Sequence, residues 1–226
     1  MRRQRLRIQF TKTGALKYIS HLDLMRLWER ALRRAGLPLV FSQGFNPQPK
    51  IIIAAALPIG ISGRAEVMDV FLETPMPTLE VAKMLPSCLP DEVRLVSIEE
   101  VPWDEPSLQV RMRTAEYEAR VPAEWTLSEL RKRVATFLAA SEIWHERRSK
   151  GKTKRYDLRS LVEDVRVIGR EGEHFRLSLR LKHEPGATGR PDDVLAALGV
   201  MKPGVEIERV RLEWDIENAG SKFPDG

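Results

Sequence analysis

The sequence predicts an α+β fold built from two tandem ferredoxin-like (split βαβ) domains. Two observations support this prediction. The order strand, helix, two or three strands, helix, strand can be followed through the first 100 residues and again from residue 108 onward, and it is the order of the split βαβ plan. Hydrophobic residues make up 42% of the 226 residues, which is enough to form real cores and excludes a disordered chain.

The N-terminal domain is predicted over residues 1–100. Alternation of apolar with basic or polar residues over 5–10 indicates a half-buried strand. A helix is predicted from Ser20 to Ala35, because Ser20 with Asp23 resembles a capping box and Gly36 ends the pattern. The remaining predicted elements are strands at 39–42, 51–57 and 66–73, a helix from Thr78 to Leu85, and a closing strand at 93–99.

The C-terminal domain is predicted over residues 108–216, after a linker at 101–107. Its first strand, 108–121, changes the phase of its alternation near residue 115, so we expect a bulge there. Thr126 with Glu129 forms a capping box that begins a helix reaching to about Ala140. The remaining predictions are a strand at 142–147, a hairpin of 161–168 with 175–182, a helix at 191–198, a strand at 205–214, and a disordered tail at 217–226.

Positive charge is concentrated at the N-terminal end of the sequence. Residues 1–64 contain 12 Lys or Arg and 2 Asp or Glu, a net charge of +10, whereas residues 65–106 contain 2 and 10, a net charge of −8. Such a basic block indicates a polyanionic partner, first of all nucleic acid. The alternative is that basic and acidic faces neutralise each other within the fold.

Three segments are candidates for nucleic-acid contact. The first is the helix that begins near Ser20, whose basic face and preceding basic strand would form a cleft for a phosphate backbone. The alternative is an ordinary solvated helix surface. The residues predicted to bind RNA in this segment are Lys12, Lys17, Arg26, Arg30 and Arg33.

The second segment is the loop from Gly44 to Lys50, which is dense in turn residues. Phe45 would stack on a base, while Asn46 and Lys50 would bind a base edge and a phosphate. The alternative is a turn in which Phe45 fills a gap in the core.

The third segment is the basic run 147–155, predicted to be a flexible loop between strands that clamps phosphates. Solubility is the alternative explanation for such a run. Its predicted RNA-binding residues are Arg147, Arg148, Lys150, Lys152, Lys154 and Arg155.

Catalytic and cofactor motifs are sparse. His21 with Lys17 and Tyr18 would suit metal-free RNA cleavage by general acid–base chemistry, although a packed, hydrogen-bonded histidine is the alternative. One cysteine, Cys88, and four dispersed histidines predict no metal or cofactor site in this chain. The sequence contains no apolar run of about 18 residues, so no membrane span is expected, and a cytoplasmic location is predicted.

Several motifs resemble those of the radical-SAM-linked bacterial proteins, a family of unassigned function. They are FTKTG at 10–14, SHLDLMR at 20–26, SQGFNPQPK at 42–50 and KRYDLR at 154–159, and the resemblance covers most of 5–213. Gln48 stands where that family often has His. The resemblance implies a radical SAM protein as partner, which would carry S-adenosylmethionine and a 4Fe–4S cluster. A more distant, fold-level similarity is to CRISPR repeat-processing endoribonucleases.

The sequence therefore predicts an accessory RNA-binding protein that works with a separate radical SAM enzyme, possessing no catalytic activity of its own. Two alternatives remain open. One is a metal-independent endoribonuclease that uses His21, and the other is a protein-interaction scaffold that does not bind nucleic acid.

Overall fold

A computed structural model of the chain describes residues 2–149 and 152–215. Each half of the sequence contains both helices and strands. The helices are α1 (His21–Arg34), α2 (Thr78–Met84), α3 (Leu108–Arg111), α4 (Leu127–Ala139) and α5 (Pro191–Ala197). The strands are β1 (Gln4–Lys12), β2 (Ile51–Ile53), β3 (Ser62–Leu72), β4 (Leu95–Val101), β5 (Met112–Pro122), β6 (Trp144–Ser149), β7 (Lys152–Asp157), β8 (Val162–Glu171), β9 (His174–Glu184), β10 (Ala187–Thr188) and β11 (Glu206–Trp214).

The two halves of the chain have the same strand order. In the first unit, β1 lies between β3 and β4, and β2 pairs with β3, all antiparallel. In the second unit, β5 lies between β9 and β11, and β8 pairs with β9, again all antiparallel. Each order is that of the split βαβ plan. The predicted α+β, ferredoxin-like fold class is confirmed.

The two units share one sheet. Strand β11 runs parallel to β3, with Glu208 opposite Ser62 and Arg209 opposite Gly63. The main path through this sheet is β10-β9-β5-β11-β3-β1-β4. Strand β4 ends at Val101 and α3 begins at Leu108, on either side of the predicted linker. The division into two domains at 101–107 stays a prediction.

Amphipathic helices cover the apolar side of each unit. Helix α1 is capped by the Ser20 hydroxyl, which accepts a hydrogen bond from the Asp23 amide, and it buries Leu24 and Trp28 against the strands. The ring of Trp28 meets Phe10 of β1 edge to face at 4.9 Å. In the second unit, α4 has the complete capping box of Thr126 and Glu129 that the sequence predicts.

The linker covers the opposite side of the first unit's sheet. The Arg5 guanidinium reaches the carboxylate of Asp69, and both side chains are buried. Arg7 binds the same carboxylate at 2.9 Å and also reaches Glu105 of the linker at 3.2 Å. These buried ion pairs hold residues 102–107 against the sheet and leave the outer face of β1 covered rather than exposed, in contrast to the predicted basic strand face.

Several predicted boundaries are wrong for identifiable reasons. Residues 39–42 form isolated bridges instead of a strand, because Leu39 pairs with Leu72 and Phe41 with Pro49 only. Residues 108–111 are a helical turn whose apolar residues imitate a strand. The register between β5 and β11 shifts twice, with Val210 extra on β11 and Arg113 extra on β5 close to the expected bulge, whereas β5 pairs with β9 without interruption. The predicted tail at 217–226 lies outside the described residues. None of the helices in the described ranges has the length and apolar character needed to cross a membrane.

Candidate nucleic-acid interface

Helix α1 presents a row of arginines to solvent. Its buried side faces the first core, so Arg26, Arg30, Arg33 and Arg34 are left on the other side. Arg26 forms an exposed pair with Asp23 at 3.2 Å, which contributes little to stability. Within the described residues, Arg30, Arg33 and Arg34 have no carboxylate partner. The helix therefore carries uncompensated positive charge, as the sequence predicts.

The loop from Phe41 to Lys50 projects next to this helix. Its base is closed by hydrogen bonds from the Ser42 amide to the Gln48 carbonyl at 2.8 Å and from the Lys50 amide to the Val40 carbonyl at 2.7 Å. At its tip, Phe45 has a relative exposure of 112%. The sequence left open whether this ring fills the core, and the structure places it fully in solvent, together with the exposed Asn46.

An arginine–aromatic contact connects the loop to α1. The Arg33 guanidinium lies 5.2 Å from the centre of the Phe41 ring, which is itself 40% exposed. Stacking of this kind leaves the guanidinium edge free to donate hydrogen bonds to a phosphate. Phe45, Phe41 and Arg33 thus form an exposed set that combines ring faces with positive charge.

Lys50 is exposed, but its ammonium group faces two aromatic rings. The Nζ atom lies 4.1 Å from the centre of the Phe71 ring and 5.4 Å from that of Trp103 in the linker. These contacts orient the side chain toward the linker. Lys50 therefore lies at the base of the loop, whereas Phe45 lies at its tip. The phosphate contact predicted for Lys50 stays a prediction.

Lys12 does not lie in the surface cleft predicted for it. Its side chain is 1% exposed, and its Nζ donates to the carbonyl of Ile19 at 3.4 Å. Lys12 lies two residues after Phe10 on β1, so the alternation of the strand places both side chains on the helix-covered side of the sheet. A buried ammonium group cannot contact a nucleic-acid backbone without rearrangement, so Lys12 is removed from the proposed interface.

Of the three residues proposed for RNA cleavage, His21 is the first residue of α1, and Lys17 and Tyr18 lie in the 3-10 turn just before it. Lys17 is half-buried, with its Nζ 5.2 Å from the ring of the exposed Tyr18. His21 is half-buried, and its Nδ1 atom is buried without a hydrogen-bond partner among the described residues. Burial and the charge of Lys12 lower the pKa of His21. The catalytic role of these residues stays a prediction.

The described parts of the basic segment, 147–149 and 152–155, lie in two paired strands instead of a flexible loop. Strand β6 pairs with β7, so Arg147 lies opposite Lys154 and Arg148 opposite Thr153. Lys150 lies outside the described residues, and the side chains of Arg148, Lys152 and Lys154 are likewise not described. Of the predicted contacts, Arg147 and Arg155 can be placed: both are at least partly accessible at the hairpin surface.

Two aromatic residues of this hairpin, Trp144 and Tyr156, were not among the predicted site residues. The Arg155 guanidinium lies 4.7 Å from the centre of the Trp144 ring, which is 54% exposed. On the other side, the Tyr156 hydroxyl donates to Asp193 of α5 at 2.5 Å. Burial and this carboxylate raise the pKa of Tyr156. The alternation of side chains along the two strands, WHERRS and KTKRYD, could have predicted these contacts, because successive residues of a strand point to opposite sides.

The outer face of the second unit's sheet is charged but balanced. Arg180 pairs with Glu116, Glu163 and Glu213, and Arg176 pairs with Glu118 at 2.9 Å and with Glu171 at 2.7 Å. Both arginines are therefore neutralised by carboxylates within the chain. A face of this composition does not attract a polyanion, in contrast to the arginine row of α1.

No metal site is formed by the residues that the structure describes. Groups of three or more His, Cys, Asp or Glu side chains placed to hold an ion are absent from 2–149 and 152–215. Cys88 is a free, half-buried thiol.

Comparison with known proteins places the chain in a family. The family model described as "Uncharacterized protein conserved in bacteria (DUF2344)" matches residues 5–191. The chain belongs to this family. No curated protein sequence matches it. Association with a radical SAM enzyme and similarity to CRISPR endoribonucleases stay predictions.

Solved structures similar to this family member include two complexes. One is described as a Cbf5–Nop10–Gar1 complex, with 15% identity, a TM-score of 0.48, and coverage of 92% of this chain and 48% of that chain. Another is the archaeal box H/ACA sRNP Nop10–Cbf5 complex, with 14% identity, a TM-score of 0.44, and coverage of 91% and 47%. The chain spans about half the length of these matched chains.

Proposed function

We propose that this protein binds single-stranded RNA through α1 and the loop that projects beside it. The observation that supports the proposal is the fully exposed Phe45 ring, in a loop joined through Phe41 and Arg33 to an uncompensated arginine row. Aromatic rings that stack on bases and arginines that bind phosphates are the two elements of single-strand recognition. Burial of such an exposed apolar ring against a partner is favourable, because it removes apolar surface from water.

The β6–β7 hairpin supplies a second combination of the same kind. Trp144 offers a ring face, and Arg155 lies against it. The two surfaces belong to different units, so each can be tested separately by substitution. Base stacking contributes about 1–3 kcal/mol per base and is possible with any base. We therefore expect this protein to bind RNA with little sequence specificity.

The role we propose is accessory. The resemblance to radical-SAM-linked proteins suggests that the bound RNA is presented to a separate enzyme that carries S-adenosylmethionine and the iron–sulfur cluster. Co-purification of a radical SAM protein with the tagged chain from its native cells, abolished by treatment with ribonuclease, would support an RNA-bridged complex. Its retention after ribonuclease treatment would indicate direct protein contact instead.

Binding is tested by fluorescence anisotropy with a labelled single-stranded RNA at several salt concentrations. Phe45→Ala is expected to weaken binding about tenfold or more without changing the slope of log K against log salt concentration. The control is Leu79→Ala on α2, which removes an exposed apolar side chain (67% exposed) from a different surface. Equal binding by the parent and Phe45→Ala proteins, with both folded, would contradict the proposed stacking.

The charge contribution is tested with the double variant Arg30→Gln, Arg34→Gln. For a single strand, the log–log salt slope should flatten by about 0.7 for every phosphate that the variant no longer neutralises. The matched control is Arg131→Gln, Lys132→Gln on α4, which removes the same charge from an exposed helix of the second unit. If both double variants weaken binding alike, net charge rather than α1 is responsible.

Cleavage of the RNA in EDTA, abolished in His21→Ala, would favour the endoribonuclease alternative.

A further inference from the structure

Three exposed apolar side chains lie at the N-terminal end of α1. They are Tyr18 in the 3-10 turn before the helix, Leu22 in its first turn and Ile59 in the loop before β3, and they are 64%, 65% and 65% exposed. The loop lies next to the 3-10 turn, because the Gly60 amide donates to the Lys17 carbonyl at 2.7 Å. An exposed apolar patch of this kind is typical of a surface that contacts a partner.

This patch lies at one end of the arginine row of α1. Leu22 precedes Arg26 by about one helical turn, so both side chains lie on the solvent side of the helix. At the other end of the row, the Arg33 guanidinium packs on the loop that carries Phe45. An exposed aromatic ring therefore lies near each end of the row, Tyr18 before the helix and Phe45 beyond it.

The distance between the two ends of the row suits a short single strand. At a rise of about 1.5 Å per residue, Leu22 and Arg33 are about 17 Å apart along the helix axis. Stacked nucleotides advance about 3.4 Å along one strand, so about five of them span the row. An extended strand spans the same distance with fewer nucleotides.

Positive charge lies between the two rings and beside the second one. The uncompensated arginines of α1 lie on the path from Phe45 to Tyr18, and guanidinium groups both bind phosphates and stack on planar rings. The Lys17 Nζ lies 5.2 Å from the centre of the Tyr18 ring, which adds a cation at this end of the row. The N-terminal end of α1 therefore repeats the combination of exposed ring and positive charge found at the Phe45 loop.

We propose that Tyr18 is a second base-stacking residue, and that one RNA strand lies along α1 with one base on Phe45, another on Tyr18 and its phosphates on the arginine row. This inference rests on the RNA binding proposed above and gives that binding a minimum length. A trinucleotide reaches only one of the two rings, whereas an octanucleotide reaches both. Tyr18 acts through its ring face, so its hydroxyl group is not required.

The first test compares a labelled trinucleotide with a labelled octanucleotide by fluorescence anisotropy. Tyr18→Ala should weaken binding of the octanucleotide about tenfold, as expected for the loss of one stacked base. It should weaken binding of the trinucleotide by no more than about twofold, because the trinucleotide still stacks on Phe45. If the parent protein binds the octanucleotide and Tyr18→Ala binds it equally well, the proposal is overturned and the apolar patch is left to a protein partner.

Failure of the proposed function has a different result. A parent protein that binds neither oligonucleotide would overturn RNA binding as a whole, whereas loss of this inference alone leaves the parent binding and its dependence on Phe45 intact. Because the Tyr18 ring is mostly exposed, the variant should fold, and its melting temperature checks this.

The second test separates the ring from the hydroxyl group and from apolar surface in general. Tyr18→Phe keeps the ring and should bind the octanucleotide within about twofold of the parent, since stacking requires only a ring face. Ile59→Ala is the matched control, because it removes an equally exposed apolar side chain that has no ring. A loss in either variant as large as that in Tyr18→Ala would contradict the assignment of a stacked base.

The third test locates the strand on the unaltered chain. An octanucleotide with a photoreactive iodouridine at one end or at the other is irradiated with the protein, and the crosslinked residues are identified by mass spectrometry. Crosslinks to both Tyr18 and Phe45 are expected. Crosslinks to Phe45 with none to Tyr18 from either end would overturn the proposal.

Discussion

Arg209 of the second unit and Glu66 of the first unit form a fully buried ion pair across the joint between β11 and β3. The guanidinium binds both carboxylate oxygens through Nε and Nη2. Strands β11 and β3 are paired at only two positions. Side-chain contacts such as this ion pair therefore contribute much of the interaction between the two units. The joint is therefore polar at its centre, with apolar clusters on either side.

The first prediction concerns this pair. Removing one partner leaves the other charged and buried, so Arg209→Met should lower the free energy of unfolding by about 3–5 kcal/mol. Adding Glu66→Leu to that variant should recover part of the loss, because neither charge is then buried alone. Urea unfolding of the two single variants and the double variant measures the coupling.

The control for this prediction is Arg120→Ala, which breaks a 3.0 Å pair with Glu206 whose side chains are about half exposed. Its cost should be below about 1 kcal/mol. Strict additivity of the Arg209 and Glu66 substitutions would show that the pair does not act as a unit.

The second prediction concerns Gly63. A Cβ atom there would meet Glu66 Oε1 at 2.5 Å, which forces the carboxylate away from Arg209. Gly63→Ala should therefore destabilise the chain by about 1–3 kcal/mol, the range for overpacking of a buried site. Gly169→Ala on β8 is the control, since nothing lies within 4 Å of its Cβ position. Thermal unfolding that ranks the two variants equally would contradict this explanation.

The third prediction is a dependence of stability on pH that arises from His183. Burial, assisted by the charge of Arg209, lowers the pKa of His183 from 6.5 to about 4. The unfolded chain therefore binds a proton more readily than the folded chain between these values. This contribution to stability is complete above about pH 6.5 and is lost as the pH falls toward 4, by up to about 3 kcal/mol.

The measurement is urea unfolding of the parent and His183→Gln proteins from pH 4 to pH 7. The free energy of unfolding of the parent should fall more steeply than that of the variant as the pH decreases, because the glutamine cannot be protonated. Parallel curves over this interval would show that His183 titrates alike in the folded and unfolded chains.

The fourth prediction concerns the hairpin. Trp144→Ala removes the ring against which Arg155 packs, so it should weaken RNA binding with little loss of stability, because the ring is more than half exposed. Ile168→Ala is the control, since Ile168 on β8 is similarly exposed at 49%. RNA binding is measured by fluorescence anisotropy. If the Trp144→Ala variant binds RNA as well as the parent protein, the interface is confined to the first unit.

Local features were predictable because they depend on neighbours along the chain. The periodicity of Leu24 and Trp28 places the buried side of α1, and the arginines on its other side follow from the 3.6-residue repeat. The capping box of Thr126 and Glu129 spans one helical turn. The basic N-terminal block and the repeated element order are likewise properties of composition and sequence order.

The tertiary structure alone decided which of the basic and aromatic residues reach solvent. Lys12 and Lys17 look alike in the sequence, yet Lys12 lies on the helix-covered side of β1 and is buried, whereas Lys17 is only half-buried. Phe45 resembles many core phenylalanines, but hydrogen bonds at the base of its loop hold it in water. The Arg209–Glu66 pair joins residues 143 positions apart, and such a contact depends on how the two units join in one sheet. Periodicity and capping act over a few residues, whereas burial and charge pairing are set by strands that the sequence leaves far apart.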